Sequence, residues 1–317
     1  MLPGSKNSSA KEERGRLASK KANLRFRARI IQAIRRYFIE HDYLEVETPH
    51  IIPAPTPEVH IDPLRAGDAF LHTSPELCMK RLLSAGYDKI FQICRCFRQG
   101  ERGEKHLYEF TLLEWYHAGI DYMDLMDECE AMTLSVSRDL GLGNKITYQG
   151  REIDLKSPWE RISVKKAFKL YASIPMDEAL ELGLFDEVMV SEIEPHLGIT
   201  KPTFLYDYPA PFAALARIKE YEPDLAERFE IYMAGLELAN AFSELTDVRE
   251  QEARFVKERD KRQELGKPVY SIPKKFLTSL PHMPRSAGIA LGVDRLVMIF
   301  TNMKKIDDVV CFTPEEL

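Results

Sequence analysis

Two strand-like runs joined by a charged, glycine-containing loop decide the fold: FQICRCFRQGE at residues 91–101 and HLYEFTLLEWY at residues 106–116. The first run ends at Arg98. Near the C-terminus, a run of small residues, GIALGVDR at residues 288–295, carries a second arginine, Arg295. A guanidinium group keeps its charge and binds phosphate oxygens through parallel hydrogen bonds. Two arginines on separate strand-like segments therefore predict a site for one polyanionic ligand.

The composition is that of a globular chain. Its 317 residues are 44% hydrophobic, which is enough for one large core or two modest ones. The chain has no run of about 18 apolar residues and no apolar signal segment at its N-terminus, so we expect no contact with a membrane. The five cysteines are an odd number without CxxC spacing, which favours a reducing cytoplasm. Cys94 and Cys96 would share one face of a strand, which favours packing over a metal site.

The N-terminal part is strongly basic although the net charge is −6. Residues 1–36 contain eleven Lys or Arg against two Glu. Residues 1–20 are low in apolar side chains, which predicts a disordered basic tail before a catalytic domain at residues 21–317. The positive charge fits either a solvated tail and helix or an arm that steers an acidic partner, RNA or protein. In the second case the arm, Lys6 to Arg36, would help to dock that partner, and neutralising Lys20, Lys21, Arg25 and Arg27 should slow modification of a protein substrate.

Hydrophobic periodicity and turn residues place several elements. We expect a helix at residues 23–41, a strand at 43–49 that ends at Pro49, a strand-to-helix passage at 70–83 with Ser74 as N-cap, a helix at 121–139, two strands within 229–244 that turn near Gly235, and a polar helix at 248–265. Mixed strands and helices without regular βαβ alternation predict an α+β fold, with helices packed against an antiparallel sheet.

Three glutamates form a second group of candidate residues. A hairpin turning near residues 233–234 would place Glu230 opposite Glu237. Two facing carboxylates repel each other unless a cation lies between them, which predicts a Mg²⁺ site. Glu244 follows Glu237 at an odd spacing and would point to the other face of a flat strand, so reaching the same pocket requires a bulge or bend near residues 239–241. Without the two arginines, the simpler interpretation of Glu230, Glu237 and Glu244 would be that all three face solvent.

Five segments resemble the class II aminoacyl-tRNA synthetases and, within them, the lysyl-tRNA synthetase catalytic domain. They are EVETP at 45–49, PELCMKR at 75–81, EFTLLEWY at 109–116, ELANAFSEL at 237–245 and GVDR at 292–295. The resemblance covers roughly residues 24–312. It implies an antiparallel sheet flanked by helices, and a homodimer formed through motif 1, the helix and strand that end at Pro49. It also implies activation of a carboxylate by ATP, in which a carboxylate oxygen attacks the α-phosphorus and displaces pyrophosphate.

Residue roles follow from the same resemblance. Arg98 would bind the α-phosphate and Arg295 the γ-phosphate, although either arginine alone would more simply form a surface ion pair. The implied ATP site is Arg98, Gln99, Gly100, Glu101, His106, Glu237, Leu238, Gly292 and Arg295. The implied amino-acid site is Ser74, Pro75, Glu76, Glu114, Tyr116, Asn240, Glu244 and Ala290. The implied Mg²⁺ ligands are Glu230 and Glu237.

Within the implied amino-acid site, the family pattern divides the side chains by role. Glu76, Glu114 and Asn240 would hold the groups at the backbone end of the amino acid. Tyr116 and Glu244 would bind its side-chain ammonium, and a buried glutamate opposite an ammonium is physically reasonable because either charge alone is costly to bury.

The chain departs from the family pattern at the nucleotide site. Gln99 and Gly100 stand where Asn-Glu commonly follows the motif 2 arginine, and Leu107 stands where an asparagine that contacts ATP is usual. Ala241 replaces a common glycine. Because Gly100 has no side chain for adenine, we expect backbone groups or Glu101 to take over that contact.

Motif 1 begins near residue 24, so we expect no anticodon-binding domain before it. That arrangement resembles the free-standing paralogs that attach (R)-β-lysine to a lysine of elongation factor P, without tRNA. Trp115 in the EWY ending of motif 2 also fits that group. Two alternatives stay open: a minimal tRNA-charging enzyme that recognises only the acceptor stem, and a non-catalytic paralog with a binding or regulatory role.

The resemblance also addresses the choice of amino acid. Lysyl-tRNA synthetases usually carry glycine at the position of Ala290, whereas the β-lysine ligases carry alanine. If this strand forms the pocket floor, the extra methyl group would crowd the α-amino group of α-lysine more than the amine of a β-amino acid. Ordinary strand packing is the alternative interpretation of Ala290.

Overall fold

The computed structural model describes residues 4–317, with side chains described from residue 12 onward. The helices of this part are α1 Gly4–Ser19, α2 Lys21–Glu40, α3 Glu76–Leu83, α4 Tyr122–Asp139, α5 Val164–Tyr171, α6 Met176–Leu182, α7 Phe185–Val188, α8 Val248–Glu264, α9 Lys274–Ser279 and α10 Val293–Phe300. Across the described residues, no helix combines the length and the apolar character that crossing a membrane requires.

The strands build one large sheet and two small ones. They are β1 Leu44–Glu45, β2 Ile51–Ile52, β3 Arg65–Ala66, β4 Ala69–Leu71, β5 Lys89–Phe97, β6 Glu109–Ala118, β7 Lys145–Tyr148, β8 Arg151–Asp154, β9 Glu160–Ser163, β10 Thr203–Pro209, β11 Leu225–Met233, β12 Leu236–Ser243 and β13 Ser286–Gly292. The large sheet has the order β1-β5-β6-β13-β12-β11-β10-β9. Its neighbours are antiparallel except for the two outermost pairs, β1 with β5 and β9 with β10. The predicted α+β fold is confirmed.

One face of the large sheet packs against α2, α4 and α10 to form the main core. Ile30, Ile34 and Phe38 follow one another at intervals of four residues, so they project from one face of α2, and all three are buried. The ring of Phe38 stacks on Phe91 of β5 at 4.8 Å between centroids. This packing fixes the strand that leads to Arg98.

The opposite face is only partly covered. Helices α3, α8 and α9 pack against one end of it through a smaller cluster that includes Met79, Phe255 and Phe276. Tyr116 of β6 belongs to this cluster. The remainder of the face bears the candidate site described below.

Most of the expected elements are present. The helix expected at 121–139 is α4, and its N-cap Asp121 accepts hydrogen bonds from the backbone N–H groups of Met123 and Asp124. The polar helix expected at 248–265 is α8, and β11 and β12 are the two strands expected to turn near Gly235. The strand expected at 43–49 is much shorter, because only Leu44 and Glu45 pair with β5.

The N-terminal segment differs from the expected disordered tail. Helix α1 occupies Gly4–Ser19, and residues 1–3 of the expected tail lie outside the described residues. Ion pairs join the end of α1 to the C-terminus, with Arg16 Nε 3.0 Å and Lys20 Nζ 3.1 Å from the carboxylate of Glu316. Composition alone did not reveal this partner, which is distant in sequence.

The interpretation of the basic arm must also be corrected. Lys20 is buried and paired with Glu316, and Arg27 is buried and paired with Asp294. Neither side chain is available to a docking partner. Lys21 and Arg25 are exposed and remain candidates for that role.

Candidate active site

A cavity of about 420 Å³ lies on the partly covered face of the large sheet. At its floor, Ala290 of β13 is the Cα partner of Glu114 on β6 and of Asn240 on β12. Paired residues project to the same face, so these three side chains meet. The cavity is lined by fourteen predicted residues: Ser74, Glu76, Arg98, Glu101, His106, Glu114, Tyr116, Glu230, Glu237, Leu238, Asn240, Ala290, Gly292 and Arg295.

Four predicted site residues do not line this cavity: Pro75, Gln99, Gly100 and Glu244. Pro75 is the N-cap residue of α3, and the backbone N–H of Gln99 donates to the carbonyl of Asp62 at 2.6 Å. Gly100 has a φ of +84°, a conformation that favours glycine for backbone reasons. Glu244 is fully buried and pairs with Lys80.

At one end of the cavity, Arg98 presents an unsatisfied hydrogen-bond donor. Its guanidinium lies 5.0 Å from the centroid of the Phe110 ring, and Glu101 Oε1 is 3.8 Å from its Nη1. Its Nε is buried and has no hydrogen-bond partner among the described residues. A buried donor without a partner is costly, and a phosphate oxygen would satisfy it.

Arg295 enters the same end from the first turn of α10. Its Nη1 donates to the carbonyl oxygen of Glu237 at 2.6 Å, and the Glu237 carboxylate is 3.4 Å away. Its Nη2 donates to His106 Nε2, which must therefore be the unprotonated ring nitrogen. Burial, and then the charge of Arg295, lower the pKa of His106.

A buried ion pair fixes the start of α10. Asp294 accepts a hydrogen bond from the backbone N–H of Thr111 on β6 at 2.7 Å, and it forms an ion pair with Arg27 of α2. Arg27 Nη2 also donates to Thr111 Oγ1 at 2.7 Å. The network joins the main core helix to the residue before Arg295 and so orients that arginine.

The pairing of β11 with β12 differs from the expected one, in which Glu230 is opposite Glu237. Glu230 is opposite Asn240 rather than Glu237, which is opposite Tyr232. The register shifts at Leu238, so this bulge restores Glu237 and Asn240 to one face despite their odd spacing. A bulge therefore exists, but at Leu238 rather than at residues 239–241, and Glu244, which it was expected to bring into the pocket, does not line the cavity.

The Glu230 carboxylate is held by donors on its own strand. Arg228 Nη2 lies 2.7 Å from it and the Tyr232 hydroxyl donates at 2.6 Å. Burial raises the pKa of Glu230, Arg228 opposes this effect, and Glu237 adds to it. Arg228 Nε also donates to Asn240 Oδ1 at 3.0 Å. Sequence reasoning missed Arg228, although its position two residues before Glu230 places it on the same face.

The other end of the cavity is acidic. Glu114 is buried, and it accepts hydrogen bonds from Ser74 Oγ at 2.6 Å and from the Tyr116 hydroxyl at 2.9 Å. Burial, and then the charge of Glu76, raise the pKa of Glu114 well above its ordinary value. Ser74 is not the N-cap of α3, which is Pro75, but its Oγ accepts the backbone N–H of Glu76 at 3.0 Å.

Lys80 lies between two of the predicted site residues. Its ammonium group pairs with both Glu76 and Glu244 and is almost fully buried. Burial lowers the pKa of Lys80, but Glu244 and then Glu76 outweigh it, so the net change is upward. Burial raises the pKa of Glu244 to about 8 although Lys80 opposes this. Sequence reasoning did not connect Lys80 to Glu244, which is 164 positions further along the chain.

Glu58 also lines the acidic end and was not predicted. Burial, and then the charge of Glu76, raise its pKa to about 7. It lies in a proline-rich segment without periodicity, where the sequence gives no signal. Three carboxyl groups, those of Glu58, Glu76 and Glu114, therefore line this part of the cavity. The ammonium of Lys80 pairs with Glu76 and with the buried Glu244.

The family model described as "tRNA synthetases class II (D, K and N)" matches residues 14–316. The chain belongs to the class II tRNA synthetases. The predicted relationship is confirmed over nearly the whole length of the chain.

Curated relatives within the class II synthetases share about two fifths of their residues with this chain. The elongation factor P–(R)-β-lysine ligase of Proteus mirabilis (strain HI4320) is 39% identical over 308 residues, which are 92% of this chain and 94% of the relative. The protein of that name from Pectobacterium carotovorum subsp. carotovorum (strain PC1) is 40% identical over 319 residues, covering 93% and 95%. The one from Salmonella arizonae is 40% identical over 308 residues, covering 92% and 94%.

Two departures from the class II synthetase pattern, Gly100 and Leu107, lie near Arg98, whereas the third, Ala241, is buried in the main core. Leu107 lines the cavity and is 4% exposed, so it offers an apolar wall where the family usually has an amide. The bend at Gly100 carries that residue away from the lining. Glu101, which does line the cavity, is the nearby side chain that can replace the missing contact.

Proposed function

We propose that this chain is an ATP-dependent ligase that activates (R)-β-lysine as an aminoacyl-adenylate and transfers it to a lysine of elongation factor P. Relatives about 40% identical over more than nine tenths of the chain bear the name of that ligase. The observation that carries the proposal is that one cavity is lined both by two arginines, Arg98 and Arg295, and by the carboxyl groups of Glu58, Glu76 and Glu114. A translation factor as acceptor implies that the reaction takes place in the cytoplasm.

ATP would bind at the arginine end. A carboxylate oxygen of the amino acid attacks the α-phosphorus, the bond to the β-phosphate oxygen breaks, and pyrophosphate leaves with that bond's electron pair. Arg98 would offer its unpartnered Nε and the rest of its guanidinium to the α-phosphate, and Arg295 would bind the γ-phosphate. Both arginines are held in place before ATP binds, so little reorganisation is needed as charge develops.

Glu230 and Glu237 would hold Mg²⁺ together with the ATP phosphates. Carboxylate oxygens are the ligands that Mg²⁺ prefers, and the charge of Glu237 raises the pKa of Glu230, so the two carboxylates interact with each other. When bound, the ion would neutralise phosphate charge. We expect Glu237→Gln to raise the Mg²⁺ concentration needed for half-maximal pyrophosphate exchange. An unchanged requirement would mean that ATP alone holds the metal.

The carboxylate end would bind the amino acid through its two ammonium groups. The surplus of carboxyl groups over the Lys80 ammonium favours a dicationic ligand. Glu76, Glu114 and Asn240 would contact the end that bears the reacting carboxylate. Tyr116 and Glu244 would bind the distal ammonium, which requires Glu244 to share its charge with Lys80.

Ala290 would favour the β-amino acid. Its methyl group lies between Glu114 and Asn240, the side chains assigned to the backbone end of the substrate. A methyl-sized change in a pocket is worth about 1–3 kcal/mol of discrimination. Ala290→Gly should therefore raise pyrophosphate exchange with α-lysine relative to (R)-β-lysine. A wild-type protein that already prefers α-lysine would contradict the β-lysine assignment but not the ligase.

Two simple assays distinguish the alternative functions from the proposed ligase. A minimal tRNA-charging enzyme would aminoacylate total tRNA, which we expect this chain not to do. A non-catalytic paralog would show no pyrophosphate exchange with any amino acid. The arginine and carboxylate ends together argue against the second function, because a binding module has no need of both.

A homodimer through motif 1 completes the proposal. Ile39, Leu44 and Ile51 lie in or near that motif and are 59%, 51% and 59% exposed, which is unusual for large apolar side chains. A symmetric interface would cover them in both copies. Sedimentation at micromolar concentration should give a dimer, and Ile39→Glu should give a monomer. A monomeric wild-type protein would contradict this part of the proposal.

A further inference from the structure

Two cysteines and a histidine meet beside the arginine end of the cavity. Cys94 and Cys96 lie on β5, and His72 follows β4. The two Sγ atoms are 3.9 Å apart, and Cys96 Sγ is 3.9 Å from His72 Nε2. One potential ligand atom from each residue lies within 4.8 Å of the other two. These three residues are called the thiol cluster below.

The spacing of the thiol cluster suits a tetrahedral metal ion. With bonds of about 2.3 Å to sulfur and 2.0–2.1 Å to nitrogen, tetrahedral Zn²⁺ places two sulfurs about 3.8 Å apart and sulfur and nitrogen about 3.6 Å apart. The separations in the cluster that involve Cys96 exceed these values by only a few tenths of an ångström. The expectation that Cys94 and Cys96 only pack was based on one strand and could not include His72.

Metal binding would change the protonation of the thiol cluster. Thiolates are the form that binds metal, so the two cysteines would release their protons when the ion binds. His72 Nε2 donates to the carbonyl of Arg95 at 2.7 Å, so a metal bound at Nε2 would replace this hydrogen bond and the ring proton would move to Nδ1.

We propose that His72, Cys94 and Cys96 form a binding site for one soft divalent cation such as Zn²⁺, with a water as fourth ligand, and that the bound ion inhibits adenylate formation. Two thiolates and an imidazole select zinc-type ions over Mg²⁺, which prefers oxygen. The site is therefore distinct from the proposed Mg²⁺ ligands Glu230 and Glu237.

Inhibition follows from what the thiol cluster touches. Cys94 and Cys96 pack against Phe110, whose ring lies beneath the Arg98 guanidinium, and against Ala290 of the cavity floor. The carbonyl of His72 accepts the backbone N–H of Phe97, the residue before Arg98, at 3.1 Å. Drawing the three ligands toward one ion would shift both supports of Arg98. Transition-state contacts to phosphate depend on such positioning.

Binding is tested by titrating the reduced, metal-stripped full chain with Cd²⁺, a spectroscopic substitute for Zn²⁺. Wild type should show a thiolate-to-cadmium absorption band that saturates at one equivalent. Cys96→Ser and Cys94→Ser should each weaken binding by at least about 100-fold. Cys311→Ser, which removes an exposed thiol elsewhere, should behave like wild type. Circular dichroism establishes that each variant is folded. A band that persists unchanged in both cluster variants would overturn the proposed site.

Inhibition is tested by pyrophosphate exchange at saturating Mg²⁺. One equivalent of Zn²⁺ should inhibit wild type and Cys311→Ser at least about tenfold, and a zinc-selective chelator should restore the rate. Folded Cys96→Ser should exchange normally with or without Zn²⁺. Equal inhibition of Cys96→Ser, or stoichiometric binding to wild type without inhibition, would contradict the coupling between the thiol cluster and Arg98.

Discussion

Gly288 lies directly beneath the ring of Tyr116, its Cα partner across β13 and β6. A Cβ atom built on Gly288 would overlap that ring and would stand 2.5 Å from Glu244 Oε1. Two proposed amino-acid ligands therefore occupy the space that any side chain at position 288 would need.

The first prediction concerns this contact. Gly288→Ala should destabilise the fold by about 1–3 kcal/mol, because overpacking must displace Tyr116 or Glu244. It should also raise the KM for the amino acid more than the KM for ATP. Denaturant unfolding and pyrophosphate exchange measure the two effects. Gly15→Ala, where an added Cβ meets no atom within 4 Å, is the control. Equal stability of the two variants would contradict the packing argument.

The second prediction concerns the buried Lys80. Lys80→Met leaves Glu76 and Glu244 without their cation and should cost about 3–5 kcal/mol of unfolding free energy. Adding Glu244→Gln should recover part of that loss, because one of the two charges is then removed. Lys145→Met, at an exposed ion pair with Glu152, should leave the denaturation midpoint unchanged. If Lys80→Met behaves like Lys145→Met, the acidic end does not depend on Lys80.

The third prediction concerns the two arginines. Arg98→Ala and Arg295→Ala should each lower pyrophosphate exchange by about 10²–10³-fold, as expected for the loss of a phosphate contact in the transition state. Both variants should remain folded by circular dichroism. Arg95→Ala, whose exposed side chain is 3.5 Å from Glu109, is the matched control on β5 and should exchange normally. Near-normal pyrophosphate exchange by Arg98→Ala or Arg295→Ala would contradict the proposed mechanism.

The fourth prediction concerns His106 and pH. Its folded pKa is lowered by burial and Arg295, with a smaller contribution from Arg98, while Glu101 and Glu237 oppose the shift. At any pH above the ordinary histidine pKa of about 6.5, the ring is therefore neutral and can accept the hydrogen bond from Arg295. As pH falls below that value and approaches the lower folded pKa, protonation should repel Arg295, weaken ATP binding and reduce stability.

The measurement for His106 is the pH profile of the KM for ATP. The wild-type KM should be flat above about pH 6.5 and should rise as pH falls. His106→Gln keeps an acceptor for Arg295 but cannot titrate, so its profile should be flatter. His282→Gln, outside the cavity lining, should follow wild type. A wild-type KM for ATP that rises as pH increases would contradict this explanation.

Most of the elements that local patterns predict are present in the structure. The strand-like runs of β5 and β6 and the Asp121 start of α4 depend on neighbours in sequence, so they are visible without a structure. The family motifs added the arginines and most of the predicted residues that line the cavity. Helix α1 was missed because its ion pairs reach Glu316 at the other end of the chain.

The details of the candidate site depend on register and long-range pairing, which local patterns do not contain. The shift in strand register at Leu238 places Glu230 opposite Asn240. No residue type in β12 predicts the position of this bulge. Lys80 meets Glu244, and His72 meets Cys96, only after distant strands and helices have packed. The alternation of side chains along β5 therefore predicts that Cys94 and Cys96 lie close together, but it cannot predict that His72 joins them.

The central claim is transfer of (R)-β-lysine to a protein lysine, and intact-mass analysis of elongation factor P tests it most directly. After incubation with this chain, ATP, Mg²⁺ and (R)-β-lysine, the mass of elongation factor P should increase by one lysyl residue. The increase should require ATP and be lost with Arg98→Ala, and peptide mapping should place it on one lysine. Unmodified elongation factor P, together with a chain that charges tRNA under the same conditions, would contradict the proposed function.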